Sequence, residues 1–234
     1  MIIVKSKKSL LALTFIAFLG VSFGVSLRYL PAKKTFFSEF SGKTVIVDAG
    51  HGLPDGGTVG HSGTVEHEVN LKLSKKLSEV LEGRGFSVIL TREGEESLAF
   101  SEDSTIREMK VADMKMRREI IDKSGADLFL SVHMNSYPNE SVSGLRFFYS
   151  GNHPEVKSLA ENMQGSISKL TGAKCYEVKQ TPSDLYLMKN IPVPAVLAEC
   201  GFLSNPGEEQ KLNDEEYLSK LAWAMADAIC EYFK

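Results

Sequence analysis

Apolar runs of strand length alternate with amphipathic helical patterns along the chain from about residue 41 onward. One helix is marked by Val69, Leu73, Leu77 and Leu81, which recur every four residues and so share one helix face. Strands are predicted at residues 44–47, 86–90, 126–132, 145–149 and 195–199, and further helices around Met116 and Ile121 and at residues 156–170 and 217–233. This alternation predicts a single α/β domain with a mostly parallel, twisted sheet of about six strands and helices on both faces.

Two segments do not fit the alternation. Residues 93–104 are polar and lack periodicity, so they are predicted to form a surface loop. Residues 172–184 show no pattern that assigns them to a helix or a strand.

Length and charge favour one globular domain and argue against a nucleic-acid-binding protein. With 234 residues, 43% of them hydrophobic, the chain can bury one good core. Its net charge of −3 leaves no excess of basic residues to neutralise phosphates, so no nucleic-acid partner is predicted. The three cysteines, Cys175, Cys200 and Cys230, allow at most one disulfide and do not form a disulfide framework.

The N-terminus has the pattern of an export signal. Three lysines precede an uncharged apolar run at residues 9–27. A basic segment before a hydrophobic run is typical of secretory signals, and this run is also barely long enough to span a bilayer. We predict a signal peptide or membrane anchor at residues 1–28, a linker at 29–42 and a catalytic domain at 43–234. Either interpretation places the domain outside the cytoplasm, attached to the membrane if the segment is not cleaved.

Two histidines and two glutamates lie beside the apolar runs. His51 follows the first predicted strand, His133 and Glu199 follow later strands, and Glu66 begins a helix. Because the carboxyl ends of parallel strands meet at one edge of a sheet, we expect these residues to converge. Two imidazoles and one carboxylate make an open catalytic zinc site, and a further carboxylate can take a proton from water. The pattern predicts a metal-dependent hydrolase.

Each of these residues has a plainer interpretation when taken alone. His51 lies in a glycine-rich loop, where a histidine is commonly a turn residue. Glu66 suits the first turn of a helix, where the helix dipole favours a carboxylate. His61 and His67 flank Glu66 and are predicted to be surface residues.

Four motifs carry these residues in a fixed order. They are DAGHG at residues 48–52, EHEVNL at 66–71, SVHMN at 131–135 and ECGFLSN at 199–205. Together they resemble the zinc-dependent N-acetylmuramoyl-L-alanine amidases of the amidase-3 type, from about residue 43 to the C-terminus. Because the chain is short and has no separate wall-binding domain, it is most similar to the spore-cortex, germination-specific type. Those enzymes trim stem peptides on the route to muramic δ-lactam.

The resemblance implies roles for the four central residues. His51, Glu66 and His133 would bind Zn²⁺, and Glu199 would be the catalytic carboxylate. The bond cleaved would be the amide between the lactyl group of N-acetylmuramic acid and L-alanine of the stem peptide. Peptidoglycan is therefore the expected partner, in the cell wall or the space between the forespore membranes.

Three further residues are candidates for contacts around the site. Asn135 lies two residues after His133, on the same side of a predicted strand, and is expected to contact substrate or a ligand. Arg117 is expected to pair with a carboxylate behind the ligands. Asp48 is expected to orient a ligand or brace the loop that follows it.

The chain departs from the family pattern in the loop around His51. Ala49 stands where these enzymes usually have proline, and Leu53 where glycine is common. Proline would have fixed the backbone just before His51. A less rigid loop predicts weaker metal retention or dependence on an activating partner protein.

Three other function classes are open from the sequence. A cysteine hydrolase would use Cys200 with a histidine, although Cys200 should face away from Glu199 because side chains alternate along a strand. A zinc-dependent peptidoglycan deacetylase would use the same metal site. A non-catalytic wall-binding or assembly module would not need both histidines and both glutamates.

Overall fold

A computed structural model describes residues 39–234. The predicted signal or anchor at residues 1–28 and residues 29–38 of the predicted linker lie outside the described residues. Among residues 39–234, no helix is both long and apolar enough to cross a membrane.

Six strands form one sheet. In chain order they are β1 (Thr44–Ala49), β2 (Ser87–Leu90), β3 (Leu128–Asn135), β4 (Arg146–Tyr149), β5 (Lys179–Gln180) and β6 (Ala195–Phe202). Their order across the sheet is β2-β1-β3-β6-β4-β5. The pairs β1–β2, β1–β3 and β3–β6 are parallel, whereas β4 runs antiparallel to β6 and parallel to β5. The predicted sheet of about six mostly parallel strands is confirmed.

Within residues 39–234, five α-helices cover the sheet. They are α1 (Glu66–Gly83), α2 (Ile106–Ser124), α3 (Lys157–Thr171), α4 (Pro206–Leu212) and α5 (Glu215–Tyr232), with a short 3-10 helix at Pro154–Val156. Helix α2 is delimited by its sequence: Thr105 and Glu108 form a capping box at its start, and Gly125 ends it in the left-handed conformation. Helix α4 was not predicted, although Asn205 caps it and Pro206 occupies its first turn.

Two hydrophobic clusters lie on opposite faces of the sheet. Alternate strand residues such as Val47 and Leu130 belong to one cluster and pack with residues of helices α1, α3 and α5. Their neighbours Ile46 and Phe129 belong to the other cluster, together with Ile121 of α2. Helices therefore cover both faces, as the alternation of strand and helix patterns predicts, because each central strand must bury both its faces.

The segments without a clear pattern are mostly irregular. Residues 93–104 form the predicted surface loop. Residues 172–184 are largely irregular but contain the two-residue strand β5, which is too short for a period-two pattern to reveal. The strands β1 and β6 extend two and three residues beyond the predicted ends, at residues 47 and 199.

Candidate active site

The loop after β1 presents His51 at the carboxyl edge of the sheet. The amide of Gly50 donates to the carbonyl of Val132 on β3, which continues the pairing of the two strands. His51 then adopts φ 61°, a left-handed conformation uncommon for a residue with a side chain. Its Nδ1 lies 3.1 Å from Oδ2 of Asp55, and its Nε2 lies 3.3 Å from Oε2 of Glu66. Asp55 thereby fixes the ring orientation and leaves Nε2 directed toward Glu66.

Glu66 is held by the loop that begins its helix. No side chain caps α1; instead the amides of Glu66 and His67 donate to the carbonyls of Thr58 and Gly56. Oε2 of Glu66 accepts a hydrogen bond from the Thr58 amide at 2.9 Å, and Oε1 accepts one from the Met134 amide at 3.1 Å. The carboxylate is therefore tied to both the preceding loop and β3.

The three predicted ligands converge. His133 Nδ1 lies 3.0 Å from Oε1 of Glu66, and ligand atoms of His51, Glu66 and His133 all lie within 4.8 Å of one another. Burial alone would raise the pKa of Glu66, but hydrogen bonds from the two histidines outweigh that effect and hold the pKa well below its usual range. Two imidazole nitrogens and an ionised carboxylate oxygen at this separation suit a catalytic zinc ion with one open position.

Two glycines allow these side chains to approach the loop. A Cβ added to Gly50 would lie 2.2 Å from Nε2 of His133, and one added to Gly57 would lie 2.5 Å from Oε2 of Glu66. Both distances are far below van der Waals contact. Any side chain at either position would displace a ligand, which gives a physical reason for glycine there.

Glu199 lies on β6 directly opposite His133 in the parallel register. Its Oε2 is buried and has no hydrogen-bond partner among the described residues, which is costly for a carboxylate. Burial, aided by the charge of Glu66, raises the pKa of Glu199 to about 7. A carboxylate with this environment beside a metal-binding cluster suits proton transfer near neutral pH.

A buried ionic network lies behind the ligands. Arg117 is fully buried and pairs with Asp48 at 2.5 Å and with Asp113 at 2.7 Å. Asp48 also accepts hydrogen bonds from the hydroxyls of Thr91 and Ser131. Burial acts to raise the pKa of Asp48, but Arg117 and these hydroxyls lower it overall, so the carboxylate stays ionised.

Two arginines bind the backbone of the loop that carries His51. Arg92 donates to the carbonyls of Ala49, Gly50 and His51, and Arg117 donates to those of Ala49 and His51. Burial, together with the charge of Arg117, lowers the pKa of Arg92 to about 10, which leaves it charged at neutral pH. These contacts restrain the loop around His51, which has Ala49 in place of the family's proline. The sequence of the loop does not reveal them, because both arginines lie elsewhere in the chain.

A cleft of about 240 Å³ opens over His51, His133 and Glu199. Lys110 stands at its edge and contacts Oδ2 of Asp55 at 2.8 Å. The remaining lining is largely apolar and comes from α2, the strands and the segment before β6: Met114, Phe129, Leu185, Leu187, Met188 and Leu197. A concave apolar site with a few convergent polar groups is the usual form of an active site.

One prediction about an individual residue is wrong. His67 was expected at the surface, but it is buried, because the Gly56 loop covers the first turn of α1. The contact of Asn135 with substrate or a ligand stays a prediction. Asn135 is not among the residues that line the cleft, and its side chain accepts a hydrogen bond from the Ser136 amide. His61 is exposed, as predicted.

Two residues were missed as parts of the site. Asp55 had a detectable signal, since a carboxylate four residues after a candidate ligand in a tight loop can reach its second ring nitrogen. The sequence signal for Arg92 was weaker. Its contacts are to backbone carbonyls, which every residue has, so no particular partner residue marks them.

Cys200 is not part of the cleft. Its side chain is 1% exposed and packs in the core cluster on the opposite side of β6 from Glu199. Burial, with the neighbouring charge of Glu199, raises the pKa of its thiol strongly, so the reactive thiolate is disfavoured. The expected alternation along the strand is confirmed, and it argues against a cysteine nucleophile.

Known proteins resemble the chain in sequence and in structure. The Amidase_3 family model, described as N-acetylmuramoyl-L-alanine amidase, matches residues 45–231. The germination-specific N-acetylmuramoyl-L-alanine amidase of Bacillus subtilis is 34% identical over 193 residues, which cover 82% of this chain and 81% of that protein.

Solved structures extend the similarity to the fold. The CwlD amidase from Clostridioides difficile, in complex with the GerS lipoprotein, is 39% identical with a TM-score of 0.77, covering 81% of this chain and 98% of that one. The catalytic domain of CwlV, an N-acetylmuramoyl-L-alanine amidase from Bacillus (Paenibacillus) polymyxa, is 30% identical with a TM-score of 0.69, covering 81% and 97%. The chain therefore belongs to the N-acetylmuramoyl-L-alanine amidase family of the amidase-3 type.

Proposed function

We propose that this protein is a zinc-dependent hydrolase of peptidoglycan. It cleaves the amide between the lactyl group of N-acetylmuramic acid and L-alanine of the stem peptide. The observation that carries the proposal is the cluster of His51, Glu66 and His133, whose two histidines line one cleft together with the unpartnered carboxylate of Glu199. Membership of the amidase family supports this choice of substrate.

The residues have separate roles in the proposed reaction. His51, Glu66 and His133 hold zinc, which when bound supplies a Lewis acid that polarises the amide carbonyl and acidifies a water molecule. Glu199 accepts a proton from the attacking water and passes it to the nitrogen of L-alanine as the C–N bond breaks. The apolar cleft excludes bulk water, which strengthens the electrostatic interactions within it.

The products of digestion test the proposal. Purified protein is incubated with peptidoglycan, and mass spectrometry identifies what is released. Free stem peptides with an L-alanine N-terminus support an amidase. Released acetate would indicate a deacetylase, and neither product together with wall binding would indicate a binding module. Activity should disappear with o-phenanthroline and return with added zinc, whereas loss with iodoacetamide alone would indicate a thiol enzyme.

Asp55 is predicted to strengthen metal binding through His51. Asp55→Ala removes the carboxylate on Nδ1 of His51 and frees Lys110, so the ring is no longer held in one orientation. Loss of such a partner typically costs about 10- to 100-fold in metal affinity. Zinc affinity is measured by competition with a chelating dye. Asp103→Ala, at an exposed aspartate in the 93–104 loop, is the control, and equal affinities for the two variants would contradict the prediction.

We further propose a role in the spore cortex. The similarity to the germination-specific amidase of Bacillus subtilis and to CwlD supports this assignment. The test is expression in a Bacillus subtilis strain that lacks its germination-specific amidase. Restored muramic δ-lactam in cortex digests would support the role, and a cortex still free of it would contradict it.

The proposed substrate implies that the catalytic domain is exported, and the proposed role is compatible with an accessory protein. Peptidoglycan lies outside the cytoplasmic membrane, so the catalytic domain acts there, with the predicted signal or anchor at residues 1–28 directing it. The similar CwlD amidase was solved in complex with the GerS lipoprotein. We therefore include an accessory lipoprotein in the proposal, and zinc retention by the domain purified alone measures how far it depends on one.

A further inference from the structure

Arg146 extends the row of catalytic residues across the sheet. It begins β4 and pairs with Glu199 in the antiparallel register, while Glu199 pairs with His133 on its other side. Directly opposite residues of paired strands project from the same face. The side chains of His133, Glu199 and Arg146 therefore stand in line on three adjacent strands, about 4.8 Å apart from strand to strand.

The guanidinium of Arg146 is held in place without a carboxylate partner. It lies 4.9 Å from the ring centre of Tyr176, which orients it by a cation–π contact. Among residues 39–234 its side chain makes no ion pair and no hydrogen bond. Arg146 is half-buried, and its donors are free to bind a ligand. Its charge also lowers the pKa of Glu199, against the larger effect of burial.

The position of Arg146 indicates which end of the substrate it meets. Glu199 lies between His133, on the metal side, and Arg146, on the outer side. In the proposed reaction Glu199 gives its proton to the leaving nitrogen, so the stem peptide extends from Glu199 away from the metal. In a peptidoglycan whose second stem residue is glutamate linked through its side chain, the α-carboxyl group of that residue is free or amidated.

We propose that Arg146 binds the free α-carboxylate of this second stem residue and makes the enzyme selective for an acidic peptide. A guanidinium presents paired donors that match a carboxylate, and a carboxamide cannot accept both bonds with a full negative charge. The inference rests on the proposed function, since it concerns the side of Glu199 from which the stem peptide leaves.

Two synthetic muropeptides that differ only at this carboxyl group test the proposal. The wild-type enzyme should cleave the carboxylate form with a kcat/KM about 10- to 100-fold above that of the carboxamide form, mainly through a lower KM. In Arg146→Gln this ratio should fall close to 1. Lys174→Gln is the matched control, because Lys174 also stacks on Tyr176, at 4.7 Å, but does not lie opposite Glu199. It should keep the wild-type ratio.

Other outcomes would overturn the inference. If the wild-type enzyme shows no preference between the two substrates, the inference is wrong. If Arg146→Gln lowers kcat/KM equally on both substrates, Arg146 has a role in catalysis or folding and not in selectivity. Failure of the proposed function would look different, because wild-type enzyme would cleave neither substrate. Calorimetry would then decide: wild-type protein should bind the carboxylate form at least about tenfold more tightly, and Arg146→Gln should bind both forms equally.

Discussion

Glu199→Gln is expected to lower the rate of amide hydrolysis by about 10²- to 10⁴-fold, the usual contribution of a general acid–base group. Glutamine keeps the shape of the side chain and its place in the cleft, but it cannot take a proton from water or give one to the leaving nitrogen. Glu199 has no hydrogen-bond partner among the described residues that the substitution could disrupt. The variant should therefore fold normally and bind zinc.

The measurement is the rate of stem-peptide release, with zinc content and thermal unfolding determined on the same preparation. Glu140→Gln is the control, because Glu140 is an exposed glutamate on the loop after β3 and lies outside the cleft. It should retain wild-type activity. Activity within about tenfold of wild type in Glu199→Gln would remove Glu199 from the proposed proton transfers, while the metal assignment would stand.

The sheet and its main helices could be predicted because their patterns are local and strong. Leu73 and Leu77 repeat with the period of a helix, and residues 44–47 form a short, β-branched apolar run followed by glycines, which favours a buried strand. Helix α4 was missed because it is short, with few buried side chains to mark a periodic face. Strand β5 has two residues, and only its pairing with β4 defines it.

Three of the four central residues, His51, His133 and Glu199, could also be predicted to converge, because parallel strands bring their carboxyl ends together. Much of the surroundings could not, because it depends on how loops fold. His67 is buried by the Gly56 loop, which nothing in the helix pattern reveals. Beyond the pair of His133 and Glu199, β6 contains one extra residue relative to β3, which a regular alternation does not anticipate.

Arg117 links the surroundings of the site to the stability of the whole domain. It is a fully buried cation that pairs with two buried carboxylates, Asp48 and Asp113, and also donates to the carbonyls of Ala49 and His51. Removing one partner of a buried ionic group leaves the other charges without compensation. This is far more costly than losing a surface ion pair, which water replaces.

Arg117→Gln is accordingly expected to lower the free energy of unfolding by about 3–5 kcal/mol. Arg118→Gln is the matched control: this adjacent arginine pairs with Asp122 and donates to the carbonyls of Lys189 and Asn190. Because these contacts are exposed and water replaces them, their loss should cost about 1 kcal/mol. Urea unfolding of the metal-free domain measures the free energy of unfolding of both variants and of the wild-type protein. If Arg117→Gln does not fold, Arg117→Lys keeps the charge but not the paired donors and should lose part of this stability. A cost for Arg117→Lys no larger than that for Arg118→Gln would mean that the paired donors do not stabilise the His51 loop.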